Sequence, residues 1–411
     1  MIRALVKLLP LMIAAWLLAI CAPALAADAA FDAWLQSLWP DAQALGVSRA
    51  TFDGAARGLE PDLTLPDLVI PGRVQPAPGQ PEFVQTPAQY LKESSFDRLA
   101  AKGRKLFEQH RATLVRIERE LGVPGSLVLA IWGRESDYST HYGGRDAIRM
   151  IATQAYTGRR KDFFRNEFLY ALKMLQDGVP RSEMLSSWGG AMGLTQFLPS
   201  EFYKYGVDFD GDGRVDIWTS VPDALASAAK QLIGEGWQRD KPWAYEVRVP
   251  ADLDCTIADP DHKMPLADWL KRGFVLAYGR KPPARDLAEP APLLLPAGTY
   301  GPAFLIFQNY FVIKEYNFSD LYVLFVGHLS DLIADPRPFE KPWSPVVQLR
   351  TAQLEEMQKR LTALGLYGDK LDGKSGMKTR LALGAYQKAN RLPLDCWPTA
   401  AVLEHMRAAR R

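Results

Sequence analysis

A chain of 411 residues has room for more than one domain and a sizeable core. Lys plus Arg number 49 against 47 Asp plus Glu, and the five histidines and three cysteines show no ligand-like spacing. This balance argues against a nucleic-acid binder, which needs a basic surface, and against a zinc enzyme.

Residues 1–26 read as a secretory leader. Arg3 and Lys7 open it, Leu8 to Ile20 is its apolar run, and Ala24-Leu25-Ala26 is an A-x-A cleavage site. The run is short for a membrane span, which leaves an uncleaved anchor as the alternative. Without Arg3 and Lys7 the remainder carries 47 charges of each sign. Cys21 raises the question of lipidation, but Ile20 stands where a lipoprotein signal carries a small residue, which favours simple cleavage after Ala26. Cys255 and Cys396 then remain. They fall in different predicted domains, which argues against their pairing.

Phe31, Trp34, Leu35, Leu38 and Leu45 predict two short helices split near Pro40 and stopped at Gly46. Residues 61–87 are rich in proline and predict an extended segment draped over the core through Leu63, Leu65, Leu68, Val69, Ile70 and Phe83. Ser95 to Leu121 predicts one long helical region, broken at Gly122-Val123-Pro124. The run Leu127 to Trp132 then leads into Gly133-Arg134-Glu135-Ser136. Glu135 would end a buried helix, where apolar neighbours raise a carboxyl pKa and fit it to donate a proton. The plain alternative is a solvated Glu in a last helical turn.

Arg149 to Gly178 continues as helix. Ser186-Ser187-Trp188-Gly189-Gly190-Ala191-Met192-Gly193 follows, with three glycines in five residues. It predicts either a tight helix-to-helix turn or a cleft wall where ligand meets backbone. Asp208-Phe209-Asp210-Gly211-Asp212-Gly213-Arg214-Val215-Asp216 matches the first part of an EF-hand-type calcium loop. Thr219 replaces its closing Glu, and Asp223 is the candidate to complete the oxygen set, with a metal-free Asp-Gly turn as the alternative. Residues 243–312 predict a small β-containing insertion with one helical piece at Leu266–Arg272, and Phe304 to Tyr316 reads as strand-like. Tyr316-Asn317-Phe318 opens an apolar helix from Leu321 to Ile333; an amide between rings suits a sugar, or simply a helix start. A stiff proline-rich linker precedes a last unit, where Leu354, Met357, Leu361 and Leu364 make the stripe of the first of three helices.

Together these stretches resemble the lytic murein transglycosylase B family. The matching pieces are AIWGRES around Glu135, RRKDFF, SSWGGAMGLTQFLPS, VDFDGDGRVDIW, DALAS, GEGW and EYN, in the family's order. The resemblance implies a mainly α (α+β) fold: a lysozyme-like helical core with a small β-containing subdomain, at residues 27–335. A linker at 336–345 and a three-helix peptidoglycan-binding domain at 346–411 follow, the latter on Leu354, Met357-Gln358, Leu361, Gly365, Asp372-Gly373, Gly376, Thr379 and Tyr386-Gln387. By the same resemblance Glu135 is the catalytic acid. Ser187, Gln196, Tyr316, Asn317 and Tyr322 are substrate-binding residues, and Asp208, Asp210, Asp212, Arg214 and Asp223 lie on or near the calcium ligands.

The sequence departs from the family pattern at several points. Thr219 and Ser220 replace Asp-Pro, Ser139 stands where Gly is common, Gln231 stands for a Tyr, and Asp395-Cys396 stands for Asp-Gly. What is implied is cleavage of the MurNAc–GlcNAc bond of peptidoglycan in the periplasm without water. The chemistry would need no cofactor, the acidic loop being a candidate for a structural calcium, and its partners would be glycan strands and wall-synthesis or remodelling proteins. One carboxylate suffices if the sugar's own acetamide and C6 hydroxyl supply the other groups. The rivals are a hydrolytic muramidase and a non-catalytic murein-binding protein.

Overall fold

The computed structural model describes residues 29–72, 81–140 and 143–409. The leader, its cleavage site and Cys21 lie outside them. Two compact units interleave along the chain. Among the described residues the first takes in 29–72, 140, 143–206 and 216–221, and the second 81–139, 207–215 and 222–409.

In the first unit the helices Ala147–Thr157 and Lys161–Gln176 form the centre. Phe164, Phe168 and Leu172 of the second helix are buried. Trp39–Ala44 and Arg49–Ala56 pack on Lys161–Gln176. Pro40 occupies the first turn of its helix, where its missing N–H costs nothing. Asp62 to Val69 drapes as predicted. Leu65 and Leu68 are buried beside Met150, Val69 N donates to the Thr157 carbonyl at 2.7 Å, and Thr157 Oγ1 donates to the Val69 carbonyl at 2.8 Å. Leu63 and Val69 keep their side chains exposed.

In the second unit Gly125–Ser136 is apolar all round because it is enclosed: ten of its twelve residues are buried. It packs against Glu93–Gln109, Arg111–Leu121 and Asp320–Ala334. Ser126 and Ser330, facing each other from two of these helices, share a hydrogen bond at 2.9 Å, so neither hydroxyl is buried unpaired. Three local expectations change. The region from Ser95 to Leu121 is two helices, because the chain bends at His110 (φ −108°, ψ 20°). The end of the proline-rich segment holds two single-turn helices, Pro81–Val84 and Pro87–Tyr90, the second closed by a reciprocal Thr86–Gln89 cap. Phe304 to Tyr316 is a strand, Ala303–Ile306, followed by a helix, Gln308–Tyr316.

The β-containing part is a four-stranded antiparallel sheet in the order Val275–Leu276, Ala244–Arg248, Ala303–Ile306, Leu293–Leu294. Its apolar face closes on Trp269, wholly buried, whose Nε1 donates to the Ala291 carbonyl at 2.8 Å. The proline-rich stretch after Asp335 lies against this part. Phe339 stacks on His328 with centroids 3.6 Å apart, and Glu246 accepts the backbone N–H groups of Glu340 and Lys341.

His328 is 5% exposed, and burial holds its imidazole down at about 3. The unfolded chain binds a proton there near pH 6.5 while the native state does not. Stability is therefore fully present above that pH and is lost as pH falls toward 3. Between pH 7 and 5 the His328 contribution falls by about 2 kcal/mol. Urea denaturation of His328→Phe across this range should show a correspondingly shallower loss.

The last three helices are Thr351–Ala363, Met377–Ala389 and Ala400–Ala408. Leu354, Met357 and Leu361 are buried, but Leu364 lies past the helix end and is 57% exposed. Gln358 sits at the centre; its Oε1 accepts Gly373 N at 2.9 Å and its Nε2 donates to Asp372 Oδ1 at 3.1 Å.

Contrary to expectation, Cys255 and Cys396 form a disulfide, with Cα atoms 6.1 Å apart across 141 residues of sequence. The two predicted domains are docked there, which sequence separation does not reveal. Cys396 and Leu394 belong to the same apolar cluster as Trp269 and Leu305. Cys396 has φ +53°, the left-handed conformation that explains the usual Gly at this place.

Candidate active site

Glu135 lies in the last turn of Gly125–Ser136 and is half-buried. The helix stops because Asp137, Tyr138 and Ser139 all turn to positive φ (51°, 52° and 69°). Ser139 adopts the backbone that favours Gly, and local bonds support it there. Its N–H donates to Ser136 Oγ at 3.2 Å, and its Oγ accepts Trp132 Nε1 at 3.0 Å. Gly133 is required for space: a Cβ there would lie 2.6 Å from Cζ of Tyr138. That ring packs back against the helix and donates its hydroxyl to the Leu99 carbonyl at 3.1 Å.

Tyr322, in the first turn of Asp320–Ala334, donates its hydroxyl to Glu135 Oε1 at 2.6 Å. Burial, and then the adjacent Glu135 carboxylate, push the Tyr322 phenol well above the usual tyrosine range, so it keeps its proton and acts as donor. Arg134, the residue before the acid, donates to Tyr90 Oη at 2.6 Å and lies over the rings of Phe325 and Tyr322. The Tyr316 ring runs parallel to Tyr322 (11° between planes, centroids 6.4 Å apart). Asn317 is in the turn between the helices Gln308–Tyr316 and Asp320–Ala334. It does not cap the second helix; Ser319 does, accepting Leu321 N. Phe318 beside it is 71% exposed, an open aromatic face.

Ser187 and Gln196 belong to the first unit, on the glycine-rich loop. The loop is built by bridges between Ser186 and Met192 and between Met192 and Phe197, not as a helix-to-helix turn. Gly193 (φ +74°) lets Leu194 N reach the Ile217 carbonyl at 2.9 Å; a Cβ would lie 2.6 Å from that oxygen. Gln196 also has positive φ (58°) and donates Nε2 to the Gly193 carbonyl at 3.0 Å.

The acidic loop of the second unit brings carboxylate oxygens of Asp208, Asp210 and Asp212 within 4.8 Å of one another. Asp208 accepts the backbone N–H groups of Gly211 (2.6 Å) and Gly213 (2.8 Å). Asp223 is fully buried behind the loop, and its Oδ1 accepts Phe209 N at 2.8 Å and Asp210 N at 3.2 Å. Arg214 N donates to Asp212 Oδ1 at 2.8 Å. A hard, oxygen-only donor set of this kind fits calcium. Asp216 is engaged by the amides of Trp218 and Thr219, both at 2.8 Å.

Sequence reasoning missed Tyr90, Arg134 and Asp320 around this site. Arg134 directly precedes the acid, yet its burial under Tyr90 and Phe325 depends on segments far along the chain. A cavity of about 300 Å³ in the second unit is lined by Trp237, Trp243, Tyr245, His328, Asp331 and Phe339, among others. None of the eleven predicted site residues lines it.

The second unit thus carries a tyrosine-held glutamate at the end of a buried helix, and an acidic oxygen loop. Residues 30–331 match the Transglycosylase SLT domain family, and the chain belongs to it. Residues 350–406 match a putative peptidoglycan binding domain. SltB3 from Pseudomonas aeruginosa, solved with NAG-anhNAM-pentapeptide, is similar at 40% identity and TM-score 0.82 over 92% of this chain and 99% of that one. Its complex with NAG-NAM-pentapeptide matches at 39% identity and TM-score 0.81. Membrane-bound lytic murein transglycosylase B of Escherichia coli (strain K12) is 28% identical over 240 residues, which span 56% of this chain and 62% of that protein. The E. coli lytic transglycosylase Slt35, solved with calcium, matches at 25% identity and TM-score 0.50 over 60% of this chain and 77% of that one.

Proposed function

We propose that the protein is a peptidoglycan lytic transglycosylase. It cleaves the MurNAc-β-1,4-GlcNAc bond without water and leaves a 1,6-anhydroMurNAc end. The observation that carries this reading is the 2.6 Å bond from Tyr322 to Glu135 at the end of a buried helix. It fixes one carboxyl group, and one is enough when the sugar supplies the nucleophile. The ligands named for SltB3, one with an anhydro sugar and one without, support the reading.

Glu135 protonates the glycosidic oxygen as the bond to C1 breaks. The MurNAc acetamido oxygen stabilises the positive charge that develops at C1. The Glu135 carboxylate then takes the proton of the C6 hydroxyl, whose oxygen bonds to C1. The acid is regenerated and no water is consumed. Tyr322 orients the carboxyl group throughout. Sugar contacts are assigned to Tyr316, Asn317, Ser187 and Gln196, and the exposed Phe318 face suits a pyranose ring. The setting is the periplasm, with wall-synthesis or remodelling enzymes as partners. Among the described residues, no helix is long and apolar enough to cross a membrane.

The test is a digest of purified sacculi with the soluble products weighed. Anhydro-muropeptides, lighter by one water than hydrolysis products, are expected. Reducing-end products would make the protein a muramidase, and no release with retained binding would make it a murein-binding protein.

The acidic loop is proposed to hold a structural calcium on Asp208, Asp210, Asp212, the Arg214 carbonyl and Asp223. Millimolar calcium should raise the melting temperature and, at a hundred-fold excess over Kd, add about 2.7 kcal/mol of stability. Asp210→Asn should remove most of that response.

A further inference from the structure

Asp320 begins the helix that carries Tyr322, three residues after Asn317. It is nearly buried and faces more than its own element. Its Oδ1 accepts the Tyr310 hydroxyl at 2.8 Å and Lys314 Nζ at 2.6 Å, both from Gln308–Tyr316. Its Oδ2 accepts Nη2 of Arg380 at 3.2 Å, from the middle helix of the C-terminal module. The Arg380 side chain is 8% exposed and that of Asp320 10%. Burial works against ionisation of Asp320, but Lys314 and Arg380 outweigh it and hold the carboxyl group well below the usual range.

Arg380 is one of several bonds between the module and the rest of the unit. The Cys255–Cys396 disulfide, the Lys388–Asp254 pair at 2.5 Å and the Tyr300 hydroxyl on Asp395 at 2.8 Å all tie the same joint. Arg380, by contrast, reaches Asp320, in the turn from Tyr316 to Tyr322. Asp320 fastens both helices that flank this turn, and the second of them presents the hydroxyl that holds Glu135.

We infer that Arg380 is a positioning residue for cleavage: the C-terminal module, besides any binding of murein, completes the catalytic unit by fixing Asp320 and through it the Tyr322–Glu135 pair. This rests on the function proposed above. A displacement of a fraction of an ångström at Tyr322 would act on the chemical step, not on substrate capture.

The experiment uses the full chain, disulfide intact, on soluble GlcNAc–MurNAc-peptide oligomers, with kcat and KM measured separately. Arg380→Met is expected to lower kcat about ten-fold, with KM within two-fold and sacculus binding unchanged. Arg380→Lys should recover most of the loss. Lys388→Met, which cuts another bond of the same joint, should leave kcat unchanged. If Arg380→Met does not fold, Arg380→Gln enters the same comparison. A kcat within two-fold of wild type, a loss confined to KM, or an equal kcat loss in Lys388→Met would each overturn the inference. Failure of the wild-type chain to release anhydro products would instead overturn the functional reading.

Discussion

Glu135→Gln should stop the release of anhydro-muropeptides, with turnover falling by about a thousand-fold or more, and should leave the protein folded. The amide has the shape of the acid, and its oxygen can still accept the Tyr322 hydroxyl, so the packing at the end of Gly125–Ser136 survives. What is lost is the proton. Because the proposed cycle uses this one group first as acid and then as base, the loss strikes both halves, which places the effect at the high end for general acid–base catalysis. The measurement is the sacculus digest with the variant beside wild type, paired with a thermal melt of each. A variant that digests sacculi at the wild-type rate would remove Glu135 from the mechanism.

Losing the bridge between Cys255 and Cys396 should be the most destabilising change among those considered. The cross-link closes a loop across 141 residues, and constraint of the unfolded chain over such a span stabilises by about 3–5 kcal/mol. The double variant Cys255→Ser/Cys396→Ser and fully reduced wild type should therefore unfold at a common, lower denaturant midpoint. A second comparison separates the bridge from the backbone. Cys396 holds φ +53°, so Cys396→Gly loses the bridge but relieves the left-handed conformation. It should be more stable than Cys396→Ser by about 1 kcal/mol. The site also explains Gly384, where any side chain would run into Cys396 Sγ. Equal midpoints for oxidised and reduced wild type would mean that the non-covalent joint alone sets stability there.

The joint changes how the C-terminal module is viewed. From sequence it is a binding domain on a stiff tether. In the folded chain the stretch after Asp335 is laid along the sheet through Glu246 and His328. The module is bonded to the catalytic part, and Arg380 reaches Asp320. Two cations on one buried carboxylate make a sturdier arrangement than an exposed ion pair, because breaking it leaves a charge without its partners.

What the sequence determined by itself was local. The apolar run ending at Glu135, the helical stripes of the last unit and the Asp-Gly loop from Asp208 to Asp216 could each be read from periodicity and turn chemistry. These signals lie within a few residues and need no partner from elsewhere. The family resemblance added the fold and the roles expected of named residues. The tertiary structure decided the rest. It set the hydroxyl that holds Glu135, 187 residues away, the cysteine that meets Cys255, and the arginine that meets Asp320 from 60 residues on. It also decided that the chain bends at His110 without a Gly or Pro there, and that the glycine-rich stretch is a bridged loop. The reason is physical. A buried hydroxyl, thiol or charge takes its partner from whatever the collapsed chain brings within reach. That choice is made by burial and packing across the whole fold, so no window of neighbouring residues records it.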